Sequence, residues 1–331
     1  MLAVRVDEHG GPEVLVPVEC EAPEPGPGEV LVRNAFVGVN FVDLQHRRGH
    51  PYPVTLPLVP GTEAAGTVVA VGPGGDPGAV GQPSVHFGHL AGCYAEFTAV
   101  PTEFVVPLEP DTPLDVAAAV AISGTTAHVL TRTVPIADRW VAVHAAAGAT
   151  GGAVVQLAVA AGARVIALAS TAAKAEQALG LGARHAVTTG DTLDVAVRAL
   201  TGGRGVDVVY DAGGRDTFEA SLAMLATRGT LVLYGTATGD VPPFQLARLS
   251  GLTAGSSAGS LTVSWVSASD FLRGADRSRA MHAVLAEVAA GRLNPRIHER
   301  FALREAAAAH QLLASRTVTG KLLLAVDQAL P

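Results

Sequence analysis

The stretch Trp140-Val-Ala-Val-His144-Ala-Ala-Ala-Gly148-Ala-Thr-Gly151-Gly152 decides the fold of this chain. Its apolar start predicts a buried β-strand over Trp140–Ala145, and the small residues that follow predict a tight turn. The apolar run then continues through Leu157 and Val159, which predicts a helix directly after the turn. A strand, a turn of small residues and a helix form the first half of a βαβ unit, so this stretch predicts a parallel sheet.

The same alternation of apolar strands and Ala-rich helical stretches continues beyond this unit. The predicted strands of the sheet are Trp140–Ala145, Arg164–Ala169, Ala186–Thr188, Val206–Asp211 and Thr230–Tyr234. Each strand is followed by Ala, Gly, Ser, Thr or Asp, and ligands of such sheets bind beyond the carboxyl ends of the strands. We therefore expect a doubly wound α/β domain with its binding site at that edge.

The N-terminal part of the chain has a different pattern. Short β-type runs at Val30–Arg33, Gly66–Val71 and Ala95–Val100 are separated by clusters of Gly and Pro. The alternation of the parallel sheet also stops near Ser257, before a predicted helix at Arg277–Ala290. Strand-like residues follow at Ile297–Phe301 and Lys321–Val326. We expect two domains: a β-rich one from residues 1–121 and 260–331, and the α/β one from residues 122–259.

Composition narrows the possible partners and the compartment. The 331 residues are 49% hydrophobic and 16% charged, and the formal net charge is −7. No run of Lys or Arg is present, which argues against binding to nucleic acid or to an anionic membrane. The two cysteines, Cys20 and Cys93, do not have the spacing of a disulfide framework, and the charged start of the chain does not resemble a signal peptide. We expect a cytoplasmic protein that binds neither nucleic acid nor membranes.

The turn Gly148–Gly151 is a candidate nucleotide site. Its small residues let backbone amides approach a pyrophosphate, and the N-terminus of the following helix favours negative charge. A tight βα turn needs glycine for structural reasons as well, so the turn alone is a weak signal. The position of the next strand strengthens it, because the residue that reads an adenosine ribose follows that strand.

The residues after the strand Arg164–Ala169 bear on the choice of dinucleotide. This place holds Ser170 and Thr171, followed by Lys174, where NAD-binding proteins have a carboxylate. Hydroxyls and an ammonium favour a 2′-phosphate, so we predict NADPH as the cofactor. The alternative is that Lys174 is an ordinary solvated residue of the first helical turn.

Several motifs, in order along nearly the whole chain, resemble one protein family. These motifs are Gly11–Leu15, Pro25–Val32, Gly38–Asp43, Pro60–Gly66, Tyr94–Phe97, Ala145–Gly148, Thr201–Val209 and Thr319–Lys321. Together they resemble the zinc-independent quinone oxidoreductase, or zeta-crystallin, branch of the medium-chain dehydrogenases/reductases. The resemblance implies a chaperonin-10-like, partly open β-barrel lobe plus a Rossmann domain, an active cleft between them and a homodimer.

The resemblance also implies an activity. We expect an NADPH-dependent oxidoreductase that transfers a hydride to a quinone or to an α,β-unsaturated carbonyl compound. Two alternatives stay open: an enoyl-thioester reductase of a biosynthetic pathway, and an NADPH-binding protein without turnover. A zinc alcohol dehydrogenase is a distant third possibility.

Residue roles follow from the resemblance position by position. The residues expected to bind the cofactor are Asn40 and Thr126 at the nicotinamide half, Gly148, Ala149, Thr150 and Gly151 at the pyrophosphate, Gly235 near the nicotinamide ribose, and Ser170, Lys174 and Arg316 at the 2′-phosphate. Relatives often have glycine at the position of Ala149 and a tyrosine one residue away from Tyr52. The candidate substrate-facing residues are Asn40, Gln45, His50 and Tyr52, with Tyr52 or His50 as a possible proton donor. The alternatives are that they only line the cleft and that water supplies the proton.

The residues do not predict a metal in the reaction. A catalytic zinc takes Cys, His and carboxylate ligands plus water, whereas the corresponding runs here offer Asn40 and Gly61-Thr-Glu63. One metal-like cluster occurs, His86-Phe-Gly-His89 with Cys93, and we interpret it as a polar strand end and loop. For Asp43 and Glu63 we expect structural roles, Asp43 fixing a turn and Glu63 binding loop amides or Arg47.

Overall fold

The computed structural model describes residues 1–89, 92–252 and 258–326. In these ranges the strands are β1 (Leu2–Arg5), β2 (Val16–Glu19), β3 (Glu29–Val39), β4 (Glu63–Val71), β5 (Pro83–Phe87), β6 (Phe97–Pro101), β7 (Val105–Pro107), β8 (Trp140–Val143), β9 (Arg164–Ala169), β10 (His185–Thr188), β11 (Val206–Asp211), β12 (Leu225–Leu233), β13 (Thr262–Trp265), β14 (Ile297–Ala302) and β15 (Lys321–Ala325). The α-helices are α1 (Phe41–Arg48), α2 (Leu114–Thr133), α3 (Ala149–Ala160), α4 (Ala172–Gly180), α5 (Leu193–Leu200), α6 (Phe218–Ala223), α7 (Ala268–Phe271), α8 (Ala275–Ala289) and α9 (Ala306–Ala314).

The chain forms two compact units. The first, here called the β lobe, contains Met1–Ser123, Leu272–Leu285 and Pro295–Pro331. The second, the nucleotide lobe, contains Gly124–Phe271 and Ala286–Asn294.

The β lobe is organised around a mostly antiparallel sheet. Its strand order is β14-β15-β3-β4-β5-β7, and β6 also pairs with β3. The long strand β3 is central because it pairs with three strands: β6 along Glu29–Arg33, β15 along Phe36–Val39 and β4 along Val30–Val37. The core of the lobe is built from Val, Leu and Ala side chains of these strands and of α9. The expected partly open β lobe is confirmed.

The nucleotide lobe contains a six-stranded parallel sheet with the order β10-β9-β8-β11-β12-β13. Numbered from β8, this order is 3-2-1-4-5-6, the Rossmann order. The order reverses beside β8, so the crevice expected to receive a ligand lies at the carboxyl end of that strand. The predicted strands agree with the observed ones in position, and the expected Rossmann sheet is confirmed. Val, Leu and Ile side chains form its core.

The chain re-enters the β lobe later in the sequence than we expected. We expected residues from 260 onward to belong to the β lobe, but β13 pairs in parallel with β12 as the sixth strand of the Rossmann sheet. Thr230 lies opposite Thr262 and Leu233 opposite Trp265 in this pair. The β lobe therefore resumes at Leu272, and residues 286–294 belong again to the nucleotide lobe. Ser257, where we expected the alternation to stop, lies outside the described residues.

Within residues 1–89, 92–252 and 258–326, one helix, α2, is long and apolar enough to cross a membrane by length and composition alone. Of its most apolar window, 67% is buried inside the protein. Such burial is typical of the core helix of a folded domain.

Candidate functional site

Three neighbouring strands of the β lobe bring polar side chains to one end of the sheet. Leu322 of β15 lies opposite Val39 of β3, so Lys321 starts its strand beside Asn40, the residue after β3. On the other side of β3, Val37 lies opposite Ala64, which puts Glu63 at the same end. We call Asn40, Glu63 and Lys321 the Asn40 cluster.

The Asn40 cluster is held by direct polar contacts. The ammonium of Lys321 donates to Oδ1 of Asn40 at 2.6 Å and forms an ion pair with Oε1 of Glu63. Nδ2 of Asn40 donates to the same Glu63 oxygen at 2.7 Å, and the other Glu63 oxygen accepts the backbone amide of Ile122 at 2.6 Å. The side chains of Lys321 and Glu63 are only 2% and 0% exposed. These bonds fix which end of the Asn40 amide is the donor.

The sequence around the cluster makes room for a buried carboxylate. A Cβ atom at Gly38 would lie 2.1 Å from Oε1 of Glu63, so only glycine fits beside this side chain. A buried carboxylate needs a partner, and Lys321 supplies it. Glu63 accepts a backbone amide, but it is that of Ile122 within α2 and not a loop amide, and its charged partner is Lys321, not Arg47.

A second buried chain of polar groups begins at Asp43 in the first turn of α1. One carboxylate oxygen, Oδ2, accepts the backbone amide of Asn40 at 2.8 Å and the hydroxyl of Tyr94 at 3.3 Å. The Tyr94 oxygen lies 2.8 Å from Nε2 of His310, and Nδ1 of His310 lies 3.4 Å from the guanidinium of Arg47. We call Asp43, Tyr94, His310 and Arg47 the Asp43 chain.

The direction of the hydrogen bonds in the Asp43 chain follows from Arg47. Arginine has only donors, so Nδ1 of His310 accepts and its Nε2–H donates to Tyr94, whose own hydroxyl donates to Asp43. Burial and the charges of Arg47 and Arg48 lower the pKa of His310 to about 3, so the ring is neutral. Burial raises the pKa of Asp43 to about 7, against the opposing effects of the Asn40 amide and the Lys321 charge. The hydrogen bonds of the Asp43 chain hold the first turn of α1 in place, and therefore also hold Asn40 in place.

The other candidate substrate-facing residues have different surroundings. Gln45 lies on α1 and is buried. His50 and Tyr52 follow α1 and are exposed, Tyr52 at 43%. The structure therefore brings Asn40 into a polar cluster, but leaves His50 and Tyr52 on the surface of the lobe.

In the nucleotide lobe, β8 ends at Val143 and α3 begins at Ala149, as the fold-deciding stretch predicts. Gly148 is the N-cap of α3, so the first amides of the helix, at Ala149, Thr150 and Gly151, have no intrahelical partner. The first turn of α3 packs closely against the preceding turn. A Cβ atom at Gly151 would lie only 2.2 Å from the carbonyl oxygen of Ala145, so glycine is needed there. Backbone amides at the N-terminus of a helix are groups that can bind an anion, and these lie at the carboxyl end of the sheet.

A buried polar network supports this turn from the neighbouring strand. Asp211 ends β11 and accepts the backbone amide of Gly213 and the hydroxyls of Thr217 and Ser221, each at 2.7 Å. Because Ser221 donates to Asp211, it accepts from Nε2–H of His144 at 2.9 Å. Burial lowers the pKa of His144. The network ties the ends of β8 and β11 together on the side where a ligand is expected.

The residues after β9 lie where the sequence predicts them. Ser170 is exposed, and Thr171 is the N-cap of α4, its hydroxyl accepting the Lys174 amide at 3.3 Å. Lys174 is partly buried, and burial lowers its pKa. Two hydroxyls and an ammonium therefore follow β9, and residues 170–174 contain no carboxylate.

The remaining cofactor candidates are spread over both lobes. Thr126 lies on α2 and Gly235 lies after β12 in the nucleotide lobe, where a Gly235 Cβ would lie 3.0 Å from the carbonyl oxygen of Ala212. Arg316 belongs to the β lobe, where it is exposed after α9 and has a φ of 60°.

Sequence reasoning gave no role to Lys321, Tyr94, His310, Asp211 or His144. Lys321 and Tyr94 lie in motifs that were recognised, and a single lysine in an apolar strand was the available signal for Lys321. His310 lies 216 residues from Tyr94 in sequence, so the sequence gave no sign of their hydrogen bond.

Comparison with known proteins shows similarity along almost the whole chain. Residues 26–110 match the alcohol dehydrogenase GroES-like domain, and residues 149–276 match the zinc-binding dehydrogenase family. A 2-haloacrylate reductase of a Burkholderia species is 36% identical over 98% of this chain and 98% of its own. A probable quinone oxidoreductase of Schizosaccharomyces pombe is 37% identical over 99% and 98%. The structure of Escherichia coli quinone oxidoreductase complexed with NADPH has a TM-score of 0.92 and 33% identity, covering 98% of this chain and 100% of that one.

Proposed function

Because the chain belongs to the quinone oxidoreductase family, we propose that it is an NADPH-dependent oxidoreductase that transfers a hydride to a quinone or an α,β-unsaturated carbonyl compound without zinc. One observation carries the proposal: a helix N-terminus meets the end of β8, and Ser170, Thr171 and Lys174 follow β9. The similarity to a reductase of 2-haloacrylate supports the unsaturated acceptor.

The nucleotide lobe supports NADPH over NADH. The amides of Ala149, Thr150 and Gly151 offer hydrogen bonds to a pyrophosphate at the positive end of α3. At the end of β9, Lys174 offers a cation to a 2′-phosphate. We also assign exposed Arg316 to the 2′-phosphate and Gly235, which follows β12, to the nicotinamide ribose.

The Asn40 cluster does not fit a catalytic zinc. A zinc site needs Cys, His or carboxylate ligands free to bind the metal. Here Oε1 of Glu63 already accepts from the ammonium of Lys321 and from the amide of Asn40. A second cation would have to displace Lys321 from a buried position that is 2% exposed. We therefore derive no step through zinc.

NADPH, when bound, supplies the hydride, so the protein has to orient the reactants and stabilise the oxygen charge that develops on the acceptor. We assign Asn40 and Thr126 to the nicotinamide half of the cofactor. Gln45, His50 and Tyr52 are the residues assigned to the acceptor. Exposed Tyr52 and His50 are the candidate proton donors, with water as the alternative, because a delocalised enolate or hydroquinone anion needs no dedicated acid.

We also propose a cytoplasmic homodimer that binds neither nucleic acid nor membranes. The net charge of −7 opposes binding to phosphates and anionic lipid. Strand β13 ends the order of the Rossmann sheet, and its Trp265 is 51% exposed. Exposed strand edges with large apolar side chains are typical association surfaces, and sedimentation of the purified protein tests the dimer.

A panel of acceptors tests the function. NADPH oxidation is followed with a para-quinone, an ortho-quinone, several enones and a crotonyl thioester, each against a blank without protein. Turnover with quinones or enones supports the proposal. Turnover with the thioester alone favours an enoyl-thioester reductase, and tight NADPH binding with no turnover favours a binding protein.

A further inference from the structure

The end of β5 and the following loop carry three side chains that the proposed reaction does not use. His86, His89 and Cys93 each offer one ligand atom, and the three atoms lie within 4.8 Å of one another. His86 and Cys93 are buried, and His89 as a residue is partly exposed. We call these residues the His–Cys cluster; it shares no residue with the Asn40 cluster.

Two imidazoles and a thiolate are a donor set that suits zinc and similar soft or borderline transition-metal cations. We propose that the His–Cys cluster is a non-catalytic binding site for such a divalent cation, represented by Zn²⁺, with water at the fourth position. The site takes no part in the hydride transfer proposed above.

The hydrogen bonds of Asn34 orient the first ligand. Its Nδ2 donates to the carbonyl oxygens of Cys93 and Ala95 and to the hydroxyl oxygen of Thr98, at 3.3, 2.9 and 2.8 Å. Its Oδ1 is therefore the atom that lies 3.0 Å from Nε2 of His86, and Nε2 of His86 is the donor. The lone pair of His86 is on Nδ1, which faces Cys93. Metal-binding histidines are commonly oriented in this way by an acceptor behind the ring.

The distance between these two ligands is suitable for a shared metal ion. Nδ1 of His86 lies 3.8 Å from Sγ of Cys93. With zinc bonds of about 2.0 Å to nitrogen and about 2.3 Å to sulfur, tetrahedral geometry separates the two atoms by about 3.5 Å. A side-chain adjustment of a few tenths of an ångström is therefore sufficient for this pair.

The environment of His89 distinguishes a metal site from a simple thiol–imidazole hydrogen bond between Cys93 and His86. Such a bond accounts for Cys93 and His86, but not for Nε2 of His89, which is buried and has no hydrogen-bond partner among the described residues. A buried polar atom without a partner is unfavourable, and a metal ion bound through Nε2 of His89 would satisfy it.

The electrostatic surroundings affect the three ligands differently. Burial lowers the pKa of His86 to about 3 and lowers that of His89, so both rings are neutral and open to a metal. Burial, with Asp43 and Glu63, raises the pKa of the Cys93 thiol, so a bound cation has to displace its proton. Arg277, whose charge lowers the pKa of His89, opposes the binding of a cation.

Metal binding exchanges the thiol proton of Cys93 for the metal ion. The thiol proton of Cys93 is released to solvent as the sulfur–metal bond forms, so each Zn²⁺ bound releases one proton and no electron is transferred.

The test uses the full chain without an affinity tag, dialysed against a chelator and then titrated with Co²⁺ and Zn²⁺. We expect one equivalent of Co²⁺ to give a thiolate-to-metal charge-transfer band that Zn²⁺ abolishes. Cys93→Ser is expected to lose the band, and His89→Gln to weaken binding at least about tenfold. Cys20→Ser, which changes the exposed second cysteine, is the matched control and should bind like the wild type.

Two results overturn the proposal: a wild-type protein without the band, or variants at residues 89 and 93 that bind Co²⁺ as tightly as Cys20→Ser does. The thermal midpoint of each metal-free variant shows whether it is folded. If Cys93→Ser does not fold, His89→Gln decides, because His89 as a residue is partly exposed and its replacement leaves the core in place.

Discussion

At the scale of single residues, the chain's two lysines have opposite environments. Lys321 is buried against Glu63, while Lys174 is partly exposed at the start of α4. Removing one partner of a buried ion pair leaves an uncompensated charge, whereas a change on the surface has a small effect on stability. The two positions therefore separate a structural role of lysine from a role in cofactor choice.

We expect Lys321→Met to lower the free energy of unfolding by about 3–5 kcal/mol, because the carboxylate of Glu63 loses its charged partner. Lys174→Met is the matched control, and its unfolding free energy should stay within about 0.5 kcal/mol of wild type. Urea unfolding measures both. The double variant Glu63→Gln/Lys321→Met should recover part of the loss; equal stability of Lys321→Met and wild type would contradict the account.

Asp43 is expected to make stability depend on pH. Its pKa rises from 3.8 to about 7 on folding, so between these values the folded protein holds a proton that the unfolded chain has lost. The stabilisation is complete below pH 3.8 and decreases until pH 7. At 1.36 kcal/mol per pKa unit, wild type should lose about 2–3 kcal/mol more than Asp43→Asn between pH 5 and pH 7.5. Urea unfolding of both proteins at the two pH values measures this difference, and identical losses would refute the shift.

At the scale of secondary-structure elements, the agreement between sequence and structure depends on how local the signal is. The strands β9 and β11 were predicted residue for residue because buried parallel strands are continuous apolar runs between Gly-rich or polar turns. Strand β3 was predicted only over Val30–Arg33, although it runs to Val39, because Asn34 and Gly38 interrupt its pattern. Both interruptions have a function: Asn34 binds His86, and Gly38 gives space to Glu63.

Strand β13 and the Asn40 cluster could not be predicted locally. The four residues of β13 have no apolar run, and only pairing with β12 makes them a strand. Lys321 and Glu63 lie 258 residues apart, and the register of β15, β3 and β4 brings them together. Motif resemblance singled out Asn40, because it lies in the short local pattern Gly38–Asp43.

The turn between β8 and α3 provides a prediction at this scale. Gly151→Ala puts a Cβ atom 2.2 Å from the carbonyl oxygen of Ala145, so the first turn of α3 has to move. We expect a loss of about 1–3 kcal/mol in unfolding free energy and at least about tenfold weaker NADPH binding. Gly180→Ala is the control, since no atom lies within 4 Å of its added Cβ. NADPH titration by fluorescence and urea unfolding check both variants, and unchanged binding in Gly151→Ala would argue against this turn as the pyrophosphate site.

At the scale of the whole molecule, the two lobes supply different parts of the proposed chemistry. The nucleotide lobe offers backbone amides and a lysine to an anionic cofactor, and the β lobe offers a buried polar cluster without a zinc-binding donor set. The family resemblance predicts the nucleotide site and the lack of a catalytic zinc. The burial of Lys321 against Glu63 depends on the strand register, which the resemblance does not show.

The most direct test of this account is the steady-state rate of NADPH oxidation by a para-quinone, measured on chelator-dialysed protein and compared with NADH under the same conditions. We expect turnover without added metal and a kcat/KM at least about tenfold higher for NADPH than for NADH, equal to about 1.4 kcal/mol of preference. Turnover that needs added Zn²⁺, or equal use of NADH, would contradict it.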